Sequence, residues 1–186
     1  MRERYISVDV ESAGPIPGKY SMLSIGACVV GKPRISFYRE LKPISRNFVP
    51  EALKISGFNL RQLERFGESP QIAMKRFRRW VANASGGRKA VFVGFNAAYD
   101  WQFVNWYFEQ FAPPNPFGFG GIDIKSYFMG FSGKEWSQTT SSQLPSQFQP
   151  ANPQTHNALD DARAQASIFQ KLMRESRRRA RQSRRI

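Results

Sequence analysis

"RYISVDVE", residues 4–11, is rich in β-branched and aromatic side chains and reads as a strand apolar enough for the centre of a sheet. Successive side chains on a strand alternate faces, so Asp9 and Glu11 share one face near its C-terminal end. A D-x-E pair also decorates ordinary solvated strands. On a central strand, however, two carboxylates on one face repel each other unless a cation lies between them. Mg²⁺ suits such a place, because it takes hard oxygen ligands and keeps several waters.

Working outward, "SAGPIPGKY" (12–20) is a Gly/Pro turn region, and "MLSIGACVVG" (22–31) and "PRISFYRELKP" (33–43) give two more strands. The opening is thus a three-stranded antiparallel meander. From Pro50 the apolar spacing turns helical, in "PEALKISGF" (50–58), "NLRQLERFG" (59–67) and "SPQIAMKRFRRWVANAS" (69–85), where Ser69 is a candidate N-cap and Pro70 takes the first helical position. "KAVFVGFN" (89–96) is a buried-strand run that leads directly into a helix, "AAYDWQFVNWYFEQFA" (97–112). "GGIDIKSYFMGF" (120–131) supplies a last short strand and helix. Residues 132–155 form a polar Pro/Ser/Gln-rich loop, of a length that is usually mobile or functional, and a final helix starts near Asn157. The plan is α/β, with a mixed central sheet of about five strands flanked by helices. Ligands in such sheets sit beyond strand ends, where helix starts converge.

The 186 residues suit one domain, taken as 1–173, followed by an Arg-rich tail, 174–186. With 41% apolar residues the chain is globular, and 28 Lys+Arg against 14 Asp+Glu give it a formal charge of +14. The tail "RESRRRARQSRRI" carries +6 of this, so residues 1–173 are themselves strongly basic. Such a surface points to polyanionic partners. The single cysteine, Cys28, excludes an internal disulfide and a cysteine zinc cluster, and reads as a core thiol. No run approaches the roughly 18–20 apolar residues of a membrane span, and "MRERYISVDV" has no signal-peptide core. A soluble, cytoplasmic protein without a membrane partner is expected.

Asp100 falls in the first turn of the helix after "AVFVGF", where it either complements the helix dipole or brings a third carboxylate to a strand end. The chain's one histidine, His156, precedes the last helix. At about 100° per residue, Ala158, Ala162, Ala166, Phe169 and Met173 form that helix's apolar face. Asp160 then points away from the core, whereas Asp161 lies about 90° from the centre of the face and can turn inward. With Asn157 as N-cap, Asp160 sits at the third helical position, where an acid can reach back to the cap. Asp161 is left for a ligand. A lone histidine is commonly a surface residue, but a neutral imidazole is also well suited to act as a general base at neutral pH.

In order, "DVE" (9–11), "NAAYD" (96–100) and "HNALDD" (156–161) resemble the DEDDh group of DnaQ-like 3′–5′ exonucleases, which includes proofreading exonucleases, ribonuclease T and oligoribonuclease. The resemblance spans the chain apart from its tail. It implies a ribonuclease H-like fold, metal ligands Asp9, Glu11, Asp100 and Asp161, and His156 as general base. It also implies two divalent ions, Mg²⁺ with Mn²⁺ able to substitute, and hydrolysis from single-stranded 3′ ends of DNA or RNA. The family's first motif often continues Thr-Thr-Gly or Thr-Ala-Gly; here it is "ESAG", and the Ser12 hydroxyl keeps a contact to the terminal nucleotide available. Asn96 matches the motif asparagine and is a second candidate substrate contact.

Two other readings fit the same residues. One is a basic nucleic-acid-binding protein with little or no nuclease activity, gripping phosphates with the Arg tail or merely kept soluble by it. The other is a two-metal endonuclease of ribonuclease H-like fold. The choice of DNA or RNA, and oligomeric state, a homodimer included, stay open.

Overall fold

The computed structural model describes residues 3–150 and 155–183. Residues 151–154 of the long loop and 184–186 of the Arg-rich end lie outside the described residues. Among the described residues five strands form one sheet in the order β3-β2-β1-β4-β5. These are β1 (Glu3–Ser12), β2 (Met22–Val29), β3 (Lys32–Glu40), β4 (Lys89–Gly94) and β5 (Gly121–Asp123). β1 pairs antiparallel with β2, and β2 with β3, whereas β1–β4 and β4–β5 are parallel. The meander and the mixed sheet are as the sequence suggests, with "RYISVDVE" at the centre.

Six α-helices accompany the sheet among the described residues: α1 (Pro50–Ser56), α2 (Leu60–Phe66), α3 (Pro70–Ser85), α4 (Ala97–Phe111), α5 (Ile124–Ser132) and α6 (Ala158–Ser183). Ser69 caps α3, its side chain accepting from the Ile72 N–H. The period of two in β1 divides the core. Ile6, Val8 and Val10 join Phe77 of α3 and Phe103, Tyr107 and Phe108 of α4 in one apolar layer. On the opposite face Val93, Phe128, Phe169 and Leu172 pack under α5 and α6. Asp9 and Glu11 therefore point to the α6 side.

Two local readings are corrected. Met173 lies at the edge of the buried face of α6, while Asp161, Gln165, Ile168 and Leu172 are inside it. Spaced by four, three and four residues, these form a second buried line beside Ala158–Ala162–Ala166, so the contact face is wider than its apolar residues indicate. The long loop is also less loose than its composition suggests. It contains two short 3₁₀ turns, Trp136–Gln138 and Ser141–Gln143, and buries Leu144 and Phe148 beside Phe128 and Phe169. Lys125 lies over the Trp136 ring at 3.9 Å, and Lys171 of α6 donates to the Gln149 carbonyl at 2.7 Å. Helix α6 continues through the Arg-rich run as far as Ser183, and no helix among the described residues is long and apolar enough to cross a membrane.

Candidate active site

Three elements deliver carboxylates to the C-terminal end of β1. Asp9 and Glu11 come from the strand itself, Asp100 from the first turn of α4 and Asp161 from the first turn of α6. Asp9, Asp100 and Asp161 are 9%, 5% and 2% exposed, and Glu11 is half-buried. The approach of α6 depends on Gly26, which stands opposite Asp9 in the β1–β2 register. A Cβ there would lie 2.2 Å from the Ala158 carbonyl carbon and 2.2 Å from the Leu159 nitrogen. Only glycine lets the start of α6 rest on the sheet backbone at this point. Cys28, two residues on, is buried as expected, with its Sγ 3.6 Å from the Ala162 carbonyl; burial pushes the thiol up to about 12.

Each buried carboxylate is held by neutral donors. The Val10 N–H donates to Asp100 Oδ1 (3.0 Å), and Gln165 Nε2 donates to Asp9 Oδ1 (2.5 Å). Asp161 accepts the N–H groups of Thr155 (2.9 Å) and His156 (3.1 Å) on its two oxygens. Among the described residues none of the four pairs with a lysine or arginine. Desolvation raises the Asp9 pKa well above the carboxylate range, reinforced by the charges of Asp100, Glu11 and Asp161. Desolvation, with Asp161 nearby, lifts Glu11 to about 7. Burial also lifts Asp100 to about 8 against the opposing bond from Val10. A cluster of acids that repel one another and have no cationic side chain is a fitting receptor for hard divalent cations.

His156 is exposed at the lip of the cluster. One ligand atom each from Glu11, His156 and Asp161 lie within 4.8 Å of one another, the grouping of possible metal donors among the described residues. It differs from the four-carboxylate set: Asp9 and Asp100, although electrostatically coupled to the group, are turned to Gln165 and Val10. His156 and Asn96 are the non-glycine residues with positive φ among the described residues, at 56° and 55°. Both stand at the entrance to a helix carrying a site aspartate, and such left-handed residues concentrate at functional sites.

Asn157 caps α6 as expected, its Oδ1 accepting from Leu159 (3.0 Å) and Asp160 (3.3 Å). Asp160 is exposed, and instead of reaching back to the cap its carboxylate accepts from Arg163 at 3.0 Å. Ser12 is also differently employed. Its hydroxyl donates to the Gly14 carbonyl (2.9 Å) and lies 2.6 Å from the Tyr99 hydroxyl, so its proton already has a backbone acceptor. Tyr99, 39% exposed, covers it. Asn96 is exposed, and its side chain makes no cap bond to α4.

Gln165 escapes the sequence reading. It is buried, and its Oε1 accepts the Phe95 N–H (3.0 Å) while its Nε2 holds Asp9, so it bridges β1 and the end of β4. Its spacing was the available signal: four residues after Asp161, it must share that face of the helix.

The chain matches the RNase T family, described as exonuclease, over residues 6–169. It is 46% identical over 169 residues to the 3′-5′ DNA exonuclease Cap18 of Escherichia coli, covering 90% of each protein. Among solved structures, the nuclease domain of 3′hExo, a DEDDh member bound to rAMP, superposes with TM-score 0.73 at 15% identity over 92% of both chains. A 3′-exonuclease recognising the histone mRNA stem-loop gives 0.75 at 14% identity, over 92% of this chain and 64% of that one. E. coli exonuclease I with a dA16 oligonucleotide gives 0.64 at 15% identity, over 91% of this chain and 40% of that one. At such identities the structural likenesses establish the ribonuclease H-like fold.

Proposed function

The chain belongs to the RNase T exonuclease family and is a 3′–5′ exonuclease of the DEDDh group, and from that premise we propose that it removes mononucleotides from the 3′ ends of single-stranded DNA with two divalent cations. DNA is favoured because the relative sharing 46% identity over nearly its whole length is a DNA exonuclease. The observation that carries the site is the convergence of Asp9, Glu11, Asp100 and Asp161 without a basic partner among the described residues. These four would hold the cations, Mg²⁺ or Mn²⁺, whose all-oxygen preference the carboxylates meet.

When bound, the cations neutralise charge at the attacking water and at the leaving 3′ oxygen of the phosphodiester. The residues supply the rest. His156, on the open side of the cluster beside Glu11 and Asp161, takes the proton from the attacking water. Asp161 fixes the backbone at His156, and Gln165 fixes Asp9 against β4. The P–O3′ bond breaks as the water oxygen bonds phosphorus, and the departing O3′ takes a proton from solvent, leaving a shortened strand with a 3′ hydroxyl and a nucleoside 5′-monophosphate.

The test is a time course on matched 5′-labelled DNA and RNA oligonucleotides, single- and double-stranded, with Mg²⁺, Mn²⁺ or chelator. Stepwise shortening of single-stranded DNA with either metal, and none with chelator, is the expected result. Shortening that persists in chelator, or that is confined to duplexes or RNA, contradicts the reading. Circular single-stranded DNA stays intact if the enzyme needs an end.

A further inference from the structure

The Arg-rich end of the chain is not needed to build the catalytic carboxylate cluster, yet as far as Ser183 it is ordered as the last turns of the helix that carries Asp161. Its end is anchored. Arg179 lies over the Phe131 ring of α5 at 4.0 Å, and Glu175 accepts from Arg178 and Arg179. Other arginines lie along another face. At about 100° per residue, Arg163, Ser167, Gln170, Arg174, Arg177 and Arg181 fall within an arc of about 80°. This polar stripe runs from the catalytic end of α6 to its far end.

Arg174, Arg177, Arg178 and Arg181 together line an open concavity of about 440 Å³. Arg174 and Arg177 also border a neighbouring hollow of about 160 Å³ against Tyr5 and Val30, at the other end of β1 and β2 from the carboxylates. Arg178 is held in the larger concavity by the Glu175 carboxylate, and guanidinium planes grouped around one concavity match the planar, multidentate geometry that phosphates offer. At 1.5 Å per helical residue, Arg174 and Arg181 lie about 20 and 30 Å along α6 from Asp161. A strand with phosphates roughly 3.4 Å apart covers this in about six to nine nucleotides, and an extended one in fewer.

We propose that this arginine face is a second contact for the substrate, holding phosphates of the strand whose 3′ end lies among the carboxylates. The proposal rests on the exonuclease reading for its occupant: the same strand joins both places. The enzyme would thereby favour strands long enough to span the two.

The experiment compares wild-type enzyme with Arg174→Gln/Arg181→Gln. A control, Lys75→Gln/Arg79→Gln, removes equal charge from exposed positions on α3, across the sheet. Binding of a labelled single strand of about 20 nucleotides is measured in chelator over a range of salt. Removing one arginine–phosphate pairing flattens the dependence of log affinity on log salt by about 0.7 for a single strand, so the arginine double variant should flatten it by about 1.4. With Mg²⁺, the preference in kcat/KM for the long strand over a trinucleotide should fall several-fold in the arginine variant and hold in the control. A slope and preference equal to wild type, or changed equally in the control, overturn the proposal. If wild-type enzyme degrades neither strand with Mg²⁺, the exonuclease reading fails, and the salt slope still decides whether the arginine face binds.

Discussion

The backbone N–H of His156 donates to Oδ2 of Asp161 at 3.1 Å, so the residue expected to move a proton is held by the acid five positions later. The motif spacing thus has a mechanical content: one turn of chain and one carboxylate fix where the imidazole begins. Replacing His156 with Ala leaves that backbone bond available and removes the base. We expect kcat to fall by about 10²- to 10⁴-fold with little change in metal affinity, measured by steady-state kinetics and metal titration. A loss seen mainly in metal affinity would make His156 a ligand instead.

Gln165→Leu leaves the Phe95 N–H without its partner and frees Asp9 to rotate. A group that orients a metal ligand typically contributes 10- to 100-fold in metal affinity or activity, and that loss is expected here. The part-buried N–H left unpaired costs up to about 1 kcal/mol of stability, so a lowered melting temperature should accompany it. Activity unchanged within twofold would show that Asp9 needs no such support.

Gly26→Ala places a methyl group against the backbone of Ala158 and Leu159. Because those atoms belong to main chain, the start of α6 must move, at about 1–3 kcal/mol for overpacking. The movement displaces Asp161 and His156 together. Thermal melts should show the destabilisation and kinetics a loss of activity; a variant as active as wild type would mean that α6 can shift without consequence.

The raised pKa values of Glu11, about 7, and Asp100, about 8, set a sign for pH dependence. Acids whose pKa rises on folding contribute stability that is fully present below the ordinary carboxylate range and is lost as pH climbs through about 7 to 8. Without metal, melting temperature should therefore decline over this window. Mg²⁺ held by these carboxylates, as proposed, would compensate the charges that develop, so its stabilising effect should be larger at pH 8.5 than at pH 6, with protons released on binding. A Mg²⁺-induced shift independent of pH would be inconsistent with titration of these groups.

Much of this architecture is legible in local pattern. The apolar alternation of β1 places Asp9 and Glu11 on one face, and the caps Ser69 and Asn157 mark helices that form where their side chains accept backbone N–H groups. Legibility ends where residues distant in sequence meet. The Ser12 hydroxyl lies 2.6 Å from the hydroxyl of Tyr99, a neighbour that the local motif does not announce. Gln165 is a polar residue on a helix until the sheet beside it supplies Asp9 and Phe95. The inward side of α6 includes the line through Asp161 and Gln165 because these polar groups find partners there, which an apolar wheel does not count. Gly26 matters only because another backbone crosses it.

Asp161 is buried and turned to the carboxylate cluster, whereas its neighbour Asp160 is exposed and paired with Arg163, so catalysis should depend on the first and not on the second. The most direct measurement is Mg²⁺-dependent shortening of a 5′-labelled single strand by Asp161→Asn and Asp160→Asn, side by side with wild type. Asp161→Asn should lose at least about 10²-fold, on the scale of removing a group that stabilises charge in the transition state, and Asp160→Asn should retain most activity. Equal loss in both, or an active Asp161→Asn enzyme, would contradict this assignment.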